Sequence, residues 1–168
     1  IVWSEEGKAF RIVRIELPAS KGDITGTVRR VFPAAEAKSC SATAALAGHL
    51  QAFMAGKPVS FDIAALDMSR LPSYHRKVLA ALAAIPRGKV MSYGGLALKT
   101  GSPGGARAAG QGCGKNPFPI VYPCHRVIRA DGSLGGFGGG LPLKRALLET
   151  EGIQFDKSGK VLPEYILP

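Results

Sequence analysis

A chain of 168 residues with 46% apolar composition can bury a core as one globular unit or two small ones in contact, which argues against disorder. No stretch approaches the roughly 18 consecutive apolar residues of a membrane span, and the start at Ile1 lacks the basic then apolar pattern of an export signal, so the expectation is a soluble chain with no membrane partner. The net charge of +10 is uneven: residues 1–70 hold nine Lys and Arg against seven Asp and Glu, whereas residues 71–168 hold thirteen against five, which points to a polyanionic partner in the second half, nucleic acid ahead of an acidic membrane surface.

From Ala9 to Leu17, apolar Phe10, Ile12, Val13 and Ile15 alternate with Arg11 and Arg14, the pattern of a strand with one wetted face. Gly22, Gly26 and the Thr25 to Val31 run predict a second strand. From Thr43 onward, Leu46, Leu50, Phe53 and Met54 share one helical face, and Gly56 with Pro58 supplies a stop. Residues 1–70 therefore read as a small strand-rich unit with one helix.

After Arg70 the pattern turns to short helices. Ser73 is placed to cap a helix with the stripe Tyr74, Val78, Leu82 and Ile85, ended at Pro86-Arg87-Gly88. Ser92 is placed to cap a second through Leu96 and Leu98, closed by Gly101. A third starts near Ser102, carries Ala106, Arg107, Ala108 and Ala109, and dissolves over Gly112 to Asn116. Two short helices about a tight glycine turn have the outline of a helix-turn-helix, an outline that ordinary helical hairpins share. Three prolines within residues 116–123 exclude a helix and predict a stiff, extended run into Cys124. A glycine-dense stretch over 132–140 follows, and Pro142 opens a last helix with Leu143, Leu147 and Leu148, ended at Gly152. The fold class is α+β, with residues 71–168 mainly helical.

Cys40, Cys113 and Cys124 are odd in number and scattered, which argues against a disulfide framework and for a reducing compartment. His49, His75 and His125 show no paired ligand spacing, so neither metal nor cofactor is expected. A lone cysteine is ordinarily a small buried hydrophobe. In Pro123-Cys124-His125-Arg126, however, the thiol has two potential cations beside it, surroundings that favour the nucleophilic thiolate. Neighbours in an extended chain point to opposite sides, so His125 is expected to reach the sulfur through a bridging water. A base also needs a group to hold its tautomer, and the few acids of this half make Glu151 the candidate.

The string Asn116-Pro-Phe-Pro-Ile-Val-Tyr-Pro-Cys-His-Arg-Val resembles the signature of the O6-alkylguanine-DNA alkyltransferases, also called methylated-DNA-protein-cysteine methyltransferases. Tyr93 in Ser92-Tyr-Gly, Arg107 in Ala-Arg-Ala-Ala-Gly, Lys144 and Glu151-Gly152 stand at the family's spacings from the cysteine. The likeness is close to continuous from Pro72 to Gly152 and extends weakly to Gly56-Lys-Pro and Phe61-Asp. It implies an RNase H-like domain over 1–70 and a DNA-binding, alkyl-transfer domain over 71–168. The implied activity is single-use, irreversible transfer of an alkyl group from O6-alkylguanine, with O4-alkylthymine a candidate second substrate, onto Cys124. The implied partner is double-stranded DNA, entered through the minor groove with the damaged base flipped out, by a monomer in the cytoplasm at the nucleoid, or in the nucleus of a eukaryote.

The same resemblance assigns roles. Cys124 is the nucleophile, activated by His125 and Glu151, and Asn116 is a hinge that braces the active-site turn. Tyr93 approaches N3 of the base and helps neutralise the leaving guanine. The carbonyls of Cys124 and Val127 accept from the exocyclic amine, the backbone near Gly138 donates to O6, and Phe137 and Lys144 complete the substrate set. Arg107 fills the vacated base stack, Ser102 with the helix N-terminus meets a phosphate, Tyr93 and Gly94 join the DNA-binding set, and the small residues Gly104, Gly105, Ala106, Ala108 and Ala109 let the backbone approach DNA. Phe137 stands where a Tyr is frequent in the family, and Gly138-Gly139-Gly140 leaves a small pocket rim, open to bulkier alkyl groups. Alternative readings are a lesion-binding relative without repair activity, in which the cysteine is usually Trp, a helix-turn-helix regulator, and a thiol hydrolase.

Overall fold

The computed structural model describes residues 1–6, 9–18 and 23–168. Strands β1 (Val2–Glu6) and β2 (Ala9–Arg14) form an antiparallel hairpin, with Trp3 packed on Phe10 at 5.2 Å between ring centroids. The β2 pattern is the alternation read in the sequence, whereas β1, with its polar Ser4 and Glu5, carries no such signal. Residues Ile24–Val31 form helix α1, which corrects the expected second strand; Gly22 lies outside the described residues. The β-branched residues there favour a strand, but the Asp23 carboxylate accepts from the amides of Thr25 and Gly26, both at 2.8 Å, and this cap starts a helix. No residue of α1 is buried, so no neighbouring strand competes for it.

Helix α2 (Ser41–Met54) begins where Thr43 Oγ1 accepts from the Cys40 amide at 3.1 Å. It buries Leu46 and Phe53, while Met54 turns out to solvent, against the expected stripe. Helix α3 (Ser73–Ala83) buries Val78, Leu79 and Leu82; Pro72, not Ser73, is its cap residue. A two-residue strand β3 (Met91–Ser92) leads into α4 (Tyr93–Lys99), where Ser92 Oγ accepts from the Gly95 amide at 3.0 Å as its cap. Leu96 faces the core and Leu98 faces solvent.

Helix α5 (Ala106–Gly114) starts later than expected, after its cap residue Gly105 rather than near Ser102. It packs on α3 through Gly112, where an added Cβ would sit 2.9 Å from Val78 Cγ2. Residues Cys124–Arg126 form a 3₁₀ turn, β4 (Val127–Ile128) pairs in parallel with β3, and α6 (Gly140–Thr150) is followed by a second 3₁₀ turn at Pro163–Tyr165. The elements are mixed helices and small sheets, an α+β arrangement. Among the described residues no helix is long and apolar enough to cross a membrane.

The largest core cluster joins both halves of the chain: Ile12, Ile15, Leu46 and Leu66 meet Val78, Leu82, Leu96, Ala109 and Phe118. Backbone bonds reinforce it, from the Ile12 amide to the Ala65 carbonyl at 2.7 Å and from the Ile15 amide to the Pro117 carbonyl at 2.8 Å.

Candidate active site

The proline-rich run before Cys124 is a closed turn rather than the extended segment its composition suggests. The prolines exclude a helix, but Asn116 folds the run on itself: Oδ1 accepts from the Phe118 amide at 2.9 Å and Nδ2 donates to the Tyr122 carbonyl at 2.8 Å. Ile120 takes a φ of +73° inside this turn, a conformation that costs a β-branched residue energy and is held by the surrounding bonds. The Cys124 amide then donates to the Tyr122 carbonyl at 2.8 Å, which aims the residue into the molecule. Asn116 Nδ2 also lies 3.3 Å from Cys124 Sγ and donates to it.

Because Cys124 to Arg126 is a 3₁₀ turn, neighbouring side chains leave it about 120° apart. Cys124 turns to a cavity of about 280 Å³, while His125 points into the core and is wholly buried. His125 Nε2 lies 2.8 Å from Oε1 of Glu151, the C-terminal cap residue of α6. Arg126 clamps the same carboxylate, its Nε 2.9 Å from Oε2 and its Nη2 2.9 Å from Oε1, while its Nη1 donates to the Ile85 carbonyl at 2.6 Å. Burial pushes the Glu151 carboxyl up, yet the hydrogen bonds from His125 and Arg126 outweigh it and hold the group down at about 2.

Burial dominates at His125 and holds it below the ordinary histidine value, although Glu151 pulls the other way. A neutral imidazole beside an ionised carboxylate carries its proton on Nε2 and donates it, so Nδ1 is left with a lone pair. That buried Nδ1 has no hydrogen-bond partner among the described residues. Burial also raises the Cys124 thiol, against the Asn116 hydrogen bond and the nearby Lys144 charge, which favour thiolate. The site therefore combines a resting thiol, groups that favour its ionisation and a neutral imidazole able to accept a proton.

The cavity wall includes Tyr93, Cys113, Asn116, Cys124, Phe137 and Gly138. Tyr93 fits because glycines surround it: a Cβ on Gly110 would lie 3.7 Å from its ring, and one on Gly135 only 2.9 Å. Its hydroxyl donates to the Gly136 carbonyl at 3.4 Å, and burial disfavours its ionisation, so it stays protonated. At Gly138 an added Cβ would meet nothing within 4 Å, so the rim there is open.

Lys144 and Val127 are not among the residues that line this cavity. The wholly buried Lys144 donates to the carbonyls of Val127 at 2.5 Å, Leu134, and Gly136 at 3.4 Å, tying the glycine-rich loop to β4. Burial pushes this amine down to about 8, with the two cysteines pulling it back up. Arg107 is the second residue of α5 and is exposed, as is Gly94, while Ala106 is half-buried. Ser102 precedes the α5 cap by three residues and its carbonyl accepts from the Gly105 amide at 2.9 Å.

Three contributors to the site were not assigned from the sequence. Arg126 braces Glu151, where the sequence suggested only a positive neighbour for the thiol. Cys113 is a second thiol on the cavity wall, pushed up to about 12 by burial. The end of β2 and the residues after it supply Arg14 to Leu17, with Arg14 and Glu16 paired at 2.6 Å. Their alternation marked a strand, but nothing local marked the cavity they reach. Among the described residues no cluster of three or more His, Cys, Asp or Glu is placed to hold a metal ion.

Residues 73–153 match the family model described as 6-O-methylguanine DNA methyltransferase, DNA binding domain. The methylated-DNA-protein-cysteine methyltransferase of Methanothermobacter thermautotrophicus is 43% identical over 107 residues, which cover 64% of this chain and 60% of that protein's own length. A variant of the Mycobacterium tuberculosis O6-methylguanine methyltransferase superposes with a TM-score of 0.67 at 32% identity, covering 93% of this chain and 95% of that one. The Mycobacterium tuberculosis OGT in complex with DNA superposes with a TM-score of 0.60 at 46% identity, covering 64% of this chain and 66% of that one.

Proposed function

The chain belongs to the O6-methylguanine DNA methyltransferase family, and from that premise we propose that it repairs DNA by moving an alkyl group from O6 of guanine onto Cys124, irreversibly and once per molecule. The observation that carries this reading is the adjacency on one 3₁₀ turn of a cavity-facing thiol that accepts from Asn116 and a core-facing His125 that pairs with Glu151 and keeps one imidazole nitrogen free to take a proton. Cys124 Sγ attacks the alkyl carbon in line with its bond to O6. The S–C bond forms as the C–O bond breaks, and that electron pair leaves on the guanine. The thiol proton passes through a bridging water to His125 Nδ1, while Glu151 balances the imidazolium that forms. The protonated Tyr93 hydroxyl is a donor on the cavity wall, suited to neutralising the departing base. The thioether gives its alkyl group back only if a second nucleophile attacks that carbon and expels the thiolate, which fits a protein consumed in its own reaction.

Helices α4 and α5 serve in this reading as the helix-turn-helix of a DNA-binding domain over 71–168, with residues 1–70 as a separate supporting domain. The +8 balance of the second half supports a DNA partner, as does the DNA-bound relative. The minor groove, with the damaged nucleotide flipped into the cavity and Arg107 in the gap it leaves, is the binding mode, and one monomer suffices. A chromosomal DNA substrate calls for a protein in the cytoplasm of a prokaryote or the nucleus of a eukaryote. The rival readings, lesion binding without repair and regulation through the helices alone, leave the buried His125–Glu151 pair without work.

Incubation with a duplex containing O6-methylguanine should add the mass of one methyl group to the peptide that holds Cys124. Methyl on Cys113 instead, or none, would overturn the assignment.

A further inference from the structure

Phe53, near the end of α2, is 3% exposed and belongs to a buried cluster with Ile120 and Leu147. Its ring meets the imidazole of His125 edge to face, with centroids 5.9 Å apart and planes at 71°. The Arg87 guanidinium lies over the same Phe53 ring at 5.5 Å. Arg87 Nη2 donates to the carbonyls of Gly56 at 2.9 Å and Thr150 at 2.7 Å. One guanidinium therefore ties the turn after α2 to the last residue of α6, immediately before Glu151.

We propose that Phe53, held in place by Arg87, is a positioning residue through which the N-terminal half seals His125 from solvent and so keeps it the proton acceptor for Cys124. The acceptor role rests on the alkyl-transfer reading; the seal does not. Phe137 closes another side of the imidazole, at 6.5 Å and 76°, but it also lines the substrate cavity, whereas Phe53 does not. Phe53 is thus the wall whose removal need not disturb substrate.

The charged and titratable groups around His125 are Cys124 and Arg126 on its own turn, Lys144 from α6 and Glu151 at its C-terminal cap, and Arg87 beyond Phe53. Glu151 favours the imidazolium, Arg126 and Lys144 disfavour it, and burial disfavours it most. Opening the Phe53 wall hydrates the ring and leaves Glu151 in place, so protonation becomes easier. More of the protein then carries an imidazolium near neutral pH, and an imidazolium accepts no proton.

The test uses the full chain with Phe53→Leu, Phe53→Ala and Arg87→Gln. Two quantities are read: the single-turnover rate on methylated duplex across pH, and the titration of His125 by NMR, its signal being the one lost in His125→Gln. Phe53→Ala should move the acid limb of the rate up by about one pH unit, a fall approaching tenfold on the acid side of the wild-type midpoint with little change at about pH 8.5. The His125 midpoint should rise with it, and Phe53→Leu and Arg87→Gln should shift both in the same direction by less. A loss equal at every pH with an unmoved His125 titration would overturn the proposal. If the Phe53 variants do not fold, Arg87→Gln decides by the same readouts. If the wild type transfers no methyl, the functional reading fails, and the His125 titration still decides the seal.

Discussion

Glu151 receives the Nε2 proton of His125 at 2.8 Å while both side chains are sealed from solvent, and Arg126 grips the same carboxylate from its other side. A carboxylate this far inside the protein is tolerable only because these donors replace the water it has lost. The arrangement fixes a charge at Glu151, a tautomer at His125 and the angle at which the 3₁₀ turn meets α6.

This pair makes stability depend on pH in two stages. His125 titrates lower folded than unfolded, so the unfolded chain binds more protons and stability falls as pH drops from about 6.5. Glu151 is depressed from 4.5 to about 2, so its contribution is full above about pH 4.5 and is lost progressively towards pH 2, about 3 kcal/mol in all. Urea denaturation from pH 7 to 3 should show both declines, and Glu151→Gln should flatten the lower one. A lower limb identical in Glu151→Gln would contradict the geometry.

Asn116 joins the shape of the active-site turn to the reactivity of its thiol. Its amide nitrogen serves both the Tyr122 carbonyl and Cys124 Sγ. Asn116→Asp keeps the acceptor for the Phe118 amide but replaces the donor with a negative oxygen facing the sulfur. A hydrogen bond to a charged group contributes roughly 1.5–3 kcal/mol, so the transfer rate at neutral pH should fall by about 10- to 100-fold. The midpoint for modification of Cys124 by a thiol reagent should move to higher pH, and an unmoved midpoint would show that Asn116 acts on the turn alone.

Local signals were readable in the sequence wherever a contact lies within one turn of the chain. The Ser92 cap, the stops at Gly101 and Gly152, and the apolar stripe of α3 are of this kind. Ile24–Val31 misled because β-branched residues describe what a segment prefers against a neighbouring strand, whereas here a single capping carboxylate decides. The 116–123 run misled for a related reason: prolines say what the backbone avoids, and its closure depends on a side chain at Asn116. At the site, chemistry-bearing residue types stood out, but support from a distance did not. Phe53 looked like an ordinary core position, and its contact with His125 spans 72 residues.

Two glycines under Tyr93 separate room from confinement. A methyl at Gly110 would reach ordinary contact with the ring at 3.7 Å, so Gly110→Ala should leave methyl transfer within about twofold. A methyl at Gly135 would fall 2.9 Å from the ring, at a φ of +68° that suits glycine, so Gly135→Ala must displace Tyr93 or the loop. Its cost should be about 1–3 kcal/mol in stability, with a slower reaction on duplex. Equal behaviour of the two variants in thermal unfolding and single-turnover rates would refute the packing.

Arg107 tests the DNA-bound part of the proposal separately from the chemistry. It is exposed at the start of α5 and does not line the cavity, so the thiol, His125 and Glu151 should be unaffected by its removal. If it fills the space left by the flipped nucleotide, Arg107→Ala should slow repair of methylated duplex by at least tenfold while reaction with free O6-benzylguanine stays near wild type, because a free base needs no extrusion. Equal losses on both substrates would place Arg107 in the structure of the pocket rather than in the DNA. Duplex binding by wild type should also weaken as salt rises, since neutralised phosphates release counterions, and a flat response would leave the basic half without the partner inferred for it.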